Sequence, residues 1–111
     1  MTFEEAAEMA RDFRDERDWS QFHNPKDLAM SIGIEAGELL EVFQWSGTDL
    51  HVADRTDRAA EELADVAIYC IYLADALGIN LTDTIKTKIE ANAKKYPVNA
   101  SRGNARKYTE L

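Results

Sequence analysis

Residues 27–54 and 59–85 contain no lysine or arginine, yet each stretch has the apolar periodicity of a long helix and carries two acids three residues apart. In an α-helix, positions i and i+3 are neighbours, and the usual relief for a surface acid is a cation one turn away. Along most of both helices such pairs are unavailable. On the first, Leu28, Ile32, Ala36, Leu39, Leu40 and Phe43 fall within an arc of ~120° at 100° per residue. Glu35 borders that arc and Glu38 lies on the same side, with Ile34, Val42 and Trp45 flanking them. On the second, Leu63, Val66, Ala67, Cys70, Leu73 and Leu77 form the main stripe, and Glu62 and Asp65 stand beside Tyr69 and Tyr72.

These four acids sit among apolar residues rather than on a polar face. Two carboxylates ~5 Å apart at an effective dielectric of ~20 repel by about 3 kcal/mol, so four gathered together require protons or cations. All-oxygen ligation suits Mg²⁺ or Mn²⁺. The competing reading points all four acids to solvent beside a fraying edge.

The rest of the chain is organised around helices. Residues 3–17 form an amphipathic helix with Phe3, Ala6, Ala7, Ala10 and Phe13 toward a core. Asn24-Pro25 is an N-cap and first-turn signal opening a helix over 25–45, which the run Ser46-Gly47-Thr48-Asp49 breaks. A third helix is expected over 54–77, with Gly78 as its left-handed stop. A fourth runs from a Thr82 cap to Lys95, and Pro97 prevents its continuation. Residues 97–111 read as a basic coil tail. At 111 residues the chain is a single domain, 1–111, in an all-α, four-helix-bundle-type architecture. The third helix is apolar on most sides from residue 66 to 74, so a second buried face against another subunit is expected.

Charge and composition narrow the function. The net charge of -8 is a cancellation: residues 1–85 balance to -13 and residues 86–111 to +5. The acidic body disfavours a nucleic-acid polymer as partner, while the basic segment attracts phosphate. The single cysteine excludes a disulfide framework, and Cys70 reads as core rather than nucleophile. A di-iron bundle needs Glu-x-x-His pairs, which neither His23 nor His51 completes. No stretch is apolar enough to span a membrane, and the acidic N-terminus is not a targeting peptide, so a cytoplasmic location is expected.

Glu35-Ala-Gly-Glu38, then 23 residues, then Glu62-Leu-Ala-Asp65 resembles the E-x-x-E…E-x-x-D pattern of the MazG-like all-α nucleoside triphosphate pyrophosphohydrolases. The surroundings are similar to the dCTP pyrophosphatase-like branch of that family. Phe13-Arg-Asp-Glu-Arg-Asp-Trp19-Ser-Gln-Phe22-His23 resembles the segment before the first acid pair, and Glu41-Val-Phe-Gln-Trp45 the run after it. Lys88-Ile-Glu-Ala-Asn92-Ala-Lys-Lys95-Tyr96-Pro97 and the tail 101–108 resemble that branch's C-terminal segments.

The resemblance implies Mg²⁺ ligands at Glu35, Glu38, Glu62 and Asp65. It implies phosphate contacts from Lys88, Lys95 and Tyr96, and a base and sugar pocket from Trp19, Trp45, Tyr69 and Asn92. Arg102 of the tail is placed with the phosphate group, and His23 stands open between contacting ligand and orienting its turn. Glu38 is the favoured general base, with Glu41 and Glu35 as rivals. The implied reaction splits a nucleoside triphosphate into monophosphate and pyrophosphate, in a homo-oligomer that is a tetramer, a dimer of dimers. That branch carries a histidine on its first helix where this chain has Ala10, so dCTP and dATP both stand as substrates. The alternative is a non-catalytic helical oligomer that binds a nucleotide or a protein.

Overall fold

The computed structural model describes residues 1–47 and 53–111; Thr48 and Asp49 of the expected break, and His51, lie outside them. The chain divides into two compact units, Met1–Gly78 and Ile79–Leu111. All regular structure among the described residues is helical.

In the first unit, α1 spans Phe3–Glu16. A capping box opens it: the Thr2 hydroxyl accepts from the Glu5 amide at 3.1 Å and the Glu5 carboxylate accepts from the Thr2 amide at 3.2 Å. A single 3₁₀ turn, Trp19–Phe22, leads to α2, Pro25–Val42. There the Asn24 side chain accepts from the Asp27 amide at 2.9 Å, and Pro25 occupies the first turn, where its missing N–H costs nothing. Helix α3 spans Thr56–Leu77 and stops at Gly78, whose φ of 67° is the left-handed conformation a glycine adopts without penalty.

The second unit holds α4, Leu81–Lys95, the short α5, Val98–Ser101, and a terminal 3₁₀ turn, Tyr108–Glu110.

Three boundaries depart from the sequence expectation. Helix α2 ends at Val42 instead of residue 45: from Phe43 the backbone bonds tighten to the third residue back, Phe43 to Leu40 at 3.0 Å and Gln44 to Glu41 at 3.2 Å, and Trp45 then takes a left-handed φ of 69°. Helix α4 is capped by Asn80, which accepts from the Asp83 amide at 3.0 Å, so Thr82 lies inside the first turn and is not the cap. The tail is not uniform coil: Pro97 presets the backbone for the turn of α5, and Tyr108 begins a second turn.

The core is small. Ala7 of α1, Leu28 of α2 and Ile71 and Tyr72 of α3 form one buried cluster, with Ala10, Ile68, Tyr69 and Leu73 packed against it. Helices α2 and α3 share the most extensive packing of any pair, and α1 touches α3 over a shorter length. Several residues assigned to apolar stripes remain outside it. Leu40 is 73% exposed, and Leu63, Leu77 and Phe3 are each more than half exposed. The helices carry apolar residues around more of their circumference than their neighbours in this chain can cover. Cys70 is a half-buried free thiol within α3.

Because Leu28 is the one large side chain buried beyond 98% among the described residues, it should dominate core stability. Leu28→Ala is expected to lower unfolding free energy by about 2–4 kcal/mol in urea titrations; a loss below about 1 kcal/mol would show that the core lies elsewhere.

Candidate functional site

Because α2 and α3 pack along each other, their paired acids meet. One carboxylate oxygen each from Glu35, Glu62 and Asp65 lie within 4.8 Å of one another. Glu38 stands close enough to share a proton with both Glu35 and Glu62. The ion pairs among the described residues include none of these four acids. Glu35 Oε2 and Glu62 Oε2 are both shut off from solvent with no hydrogen-bond donor. A buried carboxylate oxygen without a donor is costly, and a cation is the partner that such a donor set lacks.

The titration of the cluster reflects the crowding. Proton sharing with Glu38, then desolvation, then the charges of Glu38, Asp65 and Glu62 push the Glu35 carboxyl up to about 7. Burial, followed by Glu38, also raises Glu62. These groups titrate as a set. Three carboxylates, two of them with an orphaned oxygen, fit a hard divalent ion such as Mg²⁺ or Mn²⁺; Glu38, expected as a fourth ligand, is not part of this group.

Asp65 also lies on the rim of an apolar cleft of about 600 Å³ between α1 and α3. Phe3, Ala6, Met9, Ala10 and Phe13 of α1 line one wall and Ala67, Ile68, Tyr69, Ile71 and Tyr72 of α3 the other. Trp19 closes one end, its ring edge-on to Phe13 with centroids 5.7 Å apart. Tyr69 meets Tyr72 edge-on at 6.2 Å. Ring faces bordering an apolar slot next to carboxylates suit a flat ligand that carries charge at one end.

The remaining predicted residues fall in different places. His23 does not line the cleft. It packs on the Tyr72 ring at 5.1 Å with Nδ1 buried and unpartnered, and burial together with the Arg14 charge lowers its pKa. Trp45 is 90% exposed and outside the cleft, while Glu41 is exposed on the last turn of α2.

Lys88, Asn92, Lys95, Tyr96 and Arg102 belong to the second unit. There the Lys95 ammonium lies 4.9 Å from the Tyr108 ring centroid, and Tyr96 meets Tyr108 edge-on at 6.0 Å. Sequence reasoning placed Phe3 and Phe13 in a core and did not see the cleft. The signal was an excess of large apolar residues on α1 over what α3 can cover.

The raised Glu35 pKa carries a sign. Its carboxyl titrates near 4.5 in the unfolded chain and near 7 in the fold, so its contribution to stability is complete below about 4.5 and is lost as pH rises through 7. The thermal midpoint of metal-free wild type minus that of Glu35→Gln should fall across this interval. Added Mg²⁺ should raise the wild-type midpoint at pH 7.5. A difference that stays flat with pH, with no response to Mg²⁺, would remove the cluster as a cation site.

Residues 30–111 match the MazG-like family. The chain is 40% identical over 116 residues to dCTP pyrophosphatase 1 of Mus musculus and equally to that of Homo sapiens, covering 99% of this chain and 68% of each relative. A crystal structure of a pyrophosphatase from Archaeoglobus fulgidus DSM 4304 superposes with a TM-score of 0.72 at 43% identity, covering 85% of this chain and 91% of that one. With one relationship spanning nearly the whole sequence and another spanning the fold, the chain belongs to the MazG-like family.

Proposed function

We propose that this chain is a magnesium-dependent nucleoside triphosphate pyrophosphohydrolase that cuts dCTP, dATP or both between the α and β phosphates, leaving the monophosphate and pyrophosphate. The coarser statement, that it is a nucleoside triphosphate pyrophosphatase, rests on its relatives across nearly its whole length. The finer one rests chiefly on one observation: the carboxylate cluster and the aromatic cleft meet at Asp65. A base stacked in the cleft leaves its phosphate chain at the acids.

In this reading Glu35, Glu62 and Asp65 hold Mg²⁺, with Glu38 beside them. When bound, the ion neutralises phosphate charge and acidifies a coordinated water. Glu38, exposed at the edge of the cluster, accepts the proton of the attacking water; Glu41 and Glu35 are the alternatives for that role. Trp19 and Tyr69 offer ring faces that any base can stack on, which supplies affinity more than selectivity.

Lys88, Lys95, Tyr96 and Arg102 supply cations and a hydroxyl to the distal phosphates, where charge develops as the bond breaks. Asn92 and Trp45 complete the sugar and base contacts, and His23 orients the turn that carries Trp19. Exposed apolar residues on α2 and α3, Leu40, Leu63 and Leu77 among them, support assembly into a homo-oligomer, with the tetramer as the expected form.

Mg²⁺-dependent release of pyrophosphate from a panel of nucleotides tests the reading. Glu38→Gln and Asp65→Asn should each lower kcat by about 100-fold or more with helicity unchanged; near-normal turnover in both would sink the metal-site assignment. Orthophosphate as first product would refute the bond assignment. Sedimentation should show a species several times the 12.5 kDa chain, and a monomer would leave the exposed apolar residues unexplained.

A further inference from the structure

Between α1 and α3 runs a set of polar contacts that the proposed chemistry does not use. Arg11 Nε lies 3.1 and 3.3 Å from the two carboxylate oxygens of Asp75. Arg14 Nη1 donates to Asp75 Oδ2 at 2.8 Å. One turn earlier on α3, the Tyr72 hydroxyl donates to the Ala10 carbonyl at 2.7 Å. The Arg14 guanidinium also stands 5.4 Å from the centre of the Tyr72 ring. Arg14 is 13% exposed and Asp75 28%, so these charges are screened far less than surface pairs.

The apolar grip between the same two helices is slight. Ala7 is the only buried residue of α1, and the larger side chains Phe3, Met9 and Phe13 face the cleft instead of closing it. Spacing between the cleft walls is therefore set by the tether. Tyr72 and Ala10 both line the cleft, so the tether reaches the wall directly.

We propose that Asp75 is a positioning residue: by holding Arg11 and Arg14 it fixes the width of the apolar cleft, and thereby which size of nucleobase is held well. The proposal rests on the cleft being the base site. Arg11 also pairs with Glu8 at 3.3 Å and Arg14 with Asp15 at 2.8 Å, but both of those acids belong to α1; replacing the Asp75 carboxylate therefore leaves the guanidinium groups paired within α1 and removes their hold on α3, which lets α1 stand further off. Dispersion contact falls steeply with a gap of even half an ångström, so a widened slot loses its hold on a single-ring base before a double-ring one.

The test compares wild type, Asp75→Asn, Asp75→Glu and Tyr72→Phe, using the full chain with Mg²⁺ and dCTP, dTTP, dATP and dGTP. Asp75→Asn should raise KM for the pyrimidine nucleotides by about fivefold or more and leave kcat within about twofold. It should also shift the ratio of kcat/KM values about threefold toward purines. Tyr72→Phe should move the same way by a smaller factor, and Asp75→Glu, which keeps the charge, should recover most of the wild-type ratio.

A folded Asp75→Asn with wild-type KM values and ratio, or one that loses kcat at constant KM, overturns the proposal. If Asp75→Asn does not fold, Tyr72→Phe decides by the same ratio. If wild type releases pyrophosphate from none of the nucleotides, the activity reading fails by itself. The tether is then judged by amide exchange along residues 3–16, where equal protection in wild type and Asp75→Asn refutes it.

Discussion

Helices α2 and α3 make the closest packing in the chain and also its worst electrostatic contact. The same approach that brings Leu28 against Ile71 and Tyr72 brings Glu35 and Glu38 against Glu62 and Asp65. Arg58 stands one turn before Glu62 on α3, yet the ion pairs among the described residues do not include it. A fold can tolerate such a cluster by protonating it, and Glu35, held near 7, does so in part. It cannot satisfy the orphaned oxygens of Glu35 and Glu62 that way at neutral pH. The apolar core at one end of the helix pair thus holds together, at the other, a carboxylate cluster that a counter-ion would relieve. In the proposed reading, removing the repulsion by mutation relieves the fold and removes the cation site.

The position of α1 follows from a different balance. A helix with Phe3, Met9 and Phe13 on one face would ordinarily bury them. Here it is docked through alanines and held by two arginines on Asp75, and its large side chains are left lining a slot. Charged tethers have preferred lengths, whereas apolar contacts close until atoms touch. A helix held by the first kind of contact can stand off from its neighbour far enough to leave room for a ligand. Tyr72 joins the two kinds, with its ring in the core and its hydroxyl on the backbone of α1.

What the sequence made legible was local. Asn24-Pro25 and Gly78 act on their own neighbours, so the start of α2 and the end of α3 could be read directly. The acid pairs could also be read, because i, i+3 spacing fixes a face and the absence of cations marks it as unusual. Trp45 could not: nothing in its neighbourhood announces a left-handed tryptophan, and its spacing of three from Val42 suggested a continuing helix. Asn80 and Thr82 are both good caps two residues apart, and only the backbone decides between them. The tether was invisible for a further reason. Arg11 and Arg14 are more than 60 residues from Asp75, and a pairing at that range leaves no periodicity. The cleft was hidden by the same gap, since whether an apolar face is core or pocket depends on how closely its partner approaches.

The charge segregation can now be argued as chemistry. Residues 1–85 carry an excess of 13 negative charges, and the ion pairs among the described residues include none of the four acids Glu35, Glu38, Glu62 and Asp65. Residues 86–111 carry an excess of five positive charges, and the ion pair that this unit makes among the described residues is Lys86 with Glu90, at 4.0 Å. One part of the chain lacks a cation and the other lacks an anion. Free magnesium would satisfy the first and inorganic phosphate the second, each without reference to the other. In the proposed function a magnesium-bound triphosphate carries both a cation and an anion, and its base has the apolar slot lined by Asp65 to enter. A ligand that answers three separate deficits is favoured over any ion that answers one, which is the reason for proposing the metal complex of a nucleotide as the substrate.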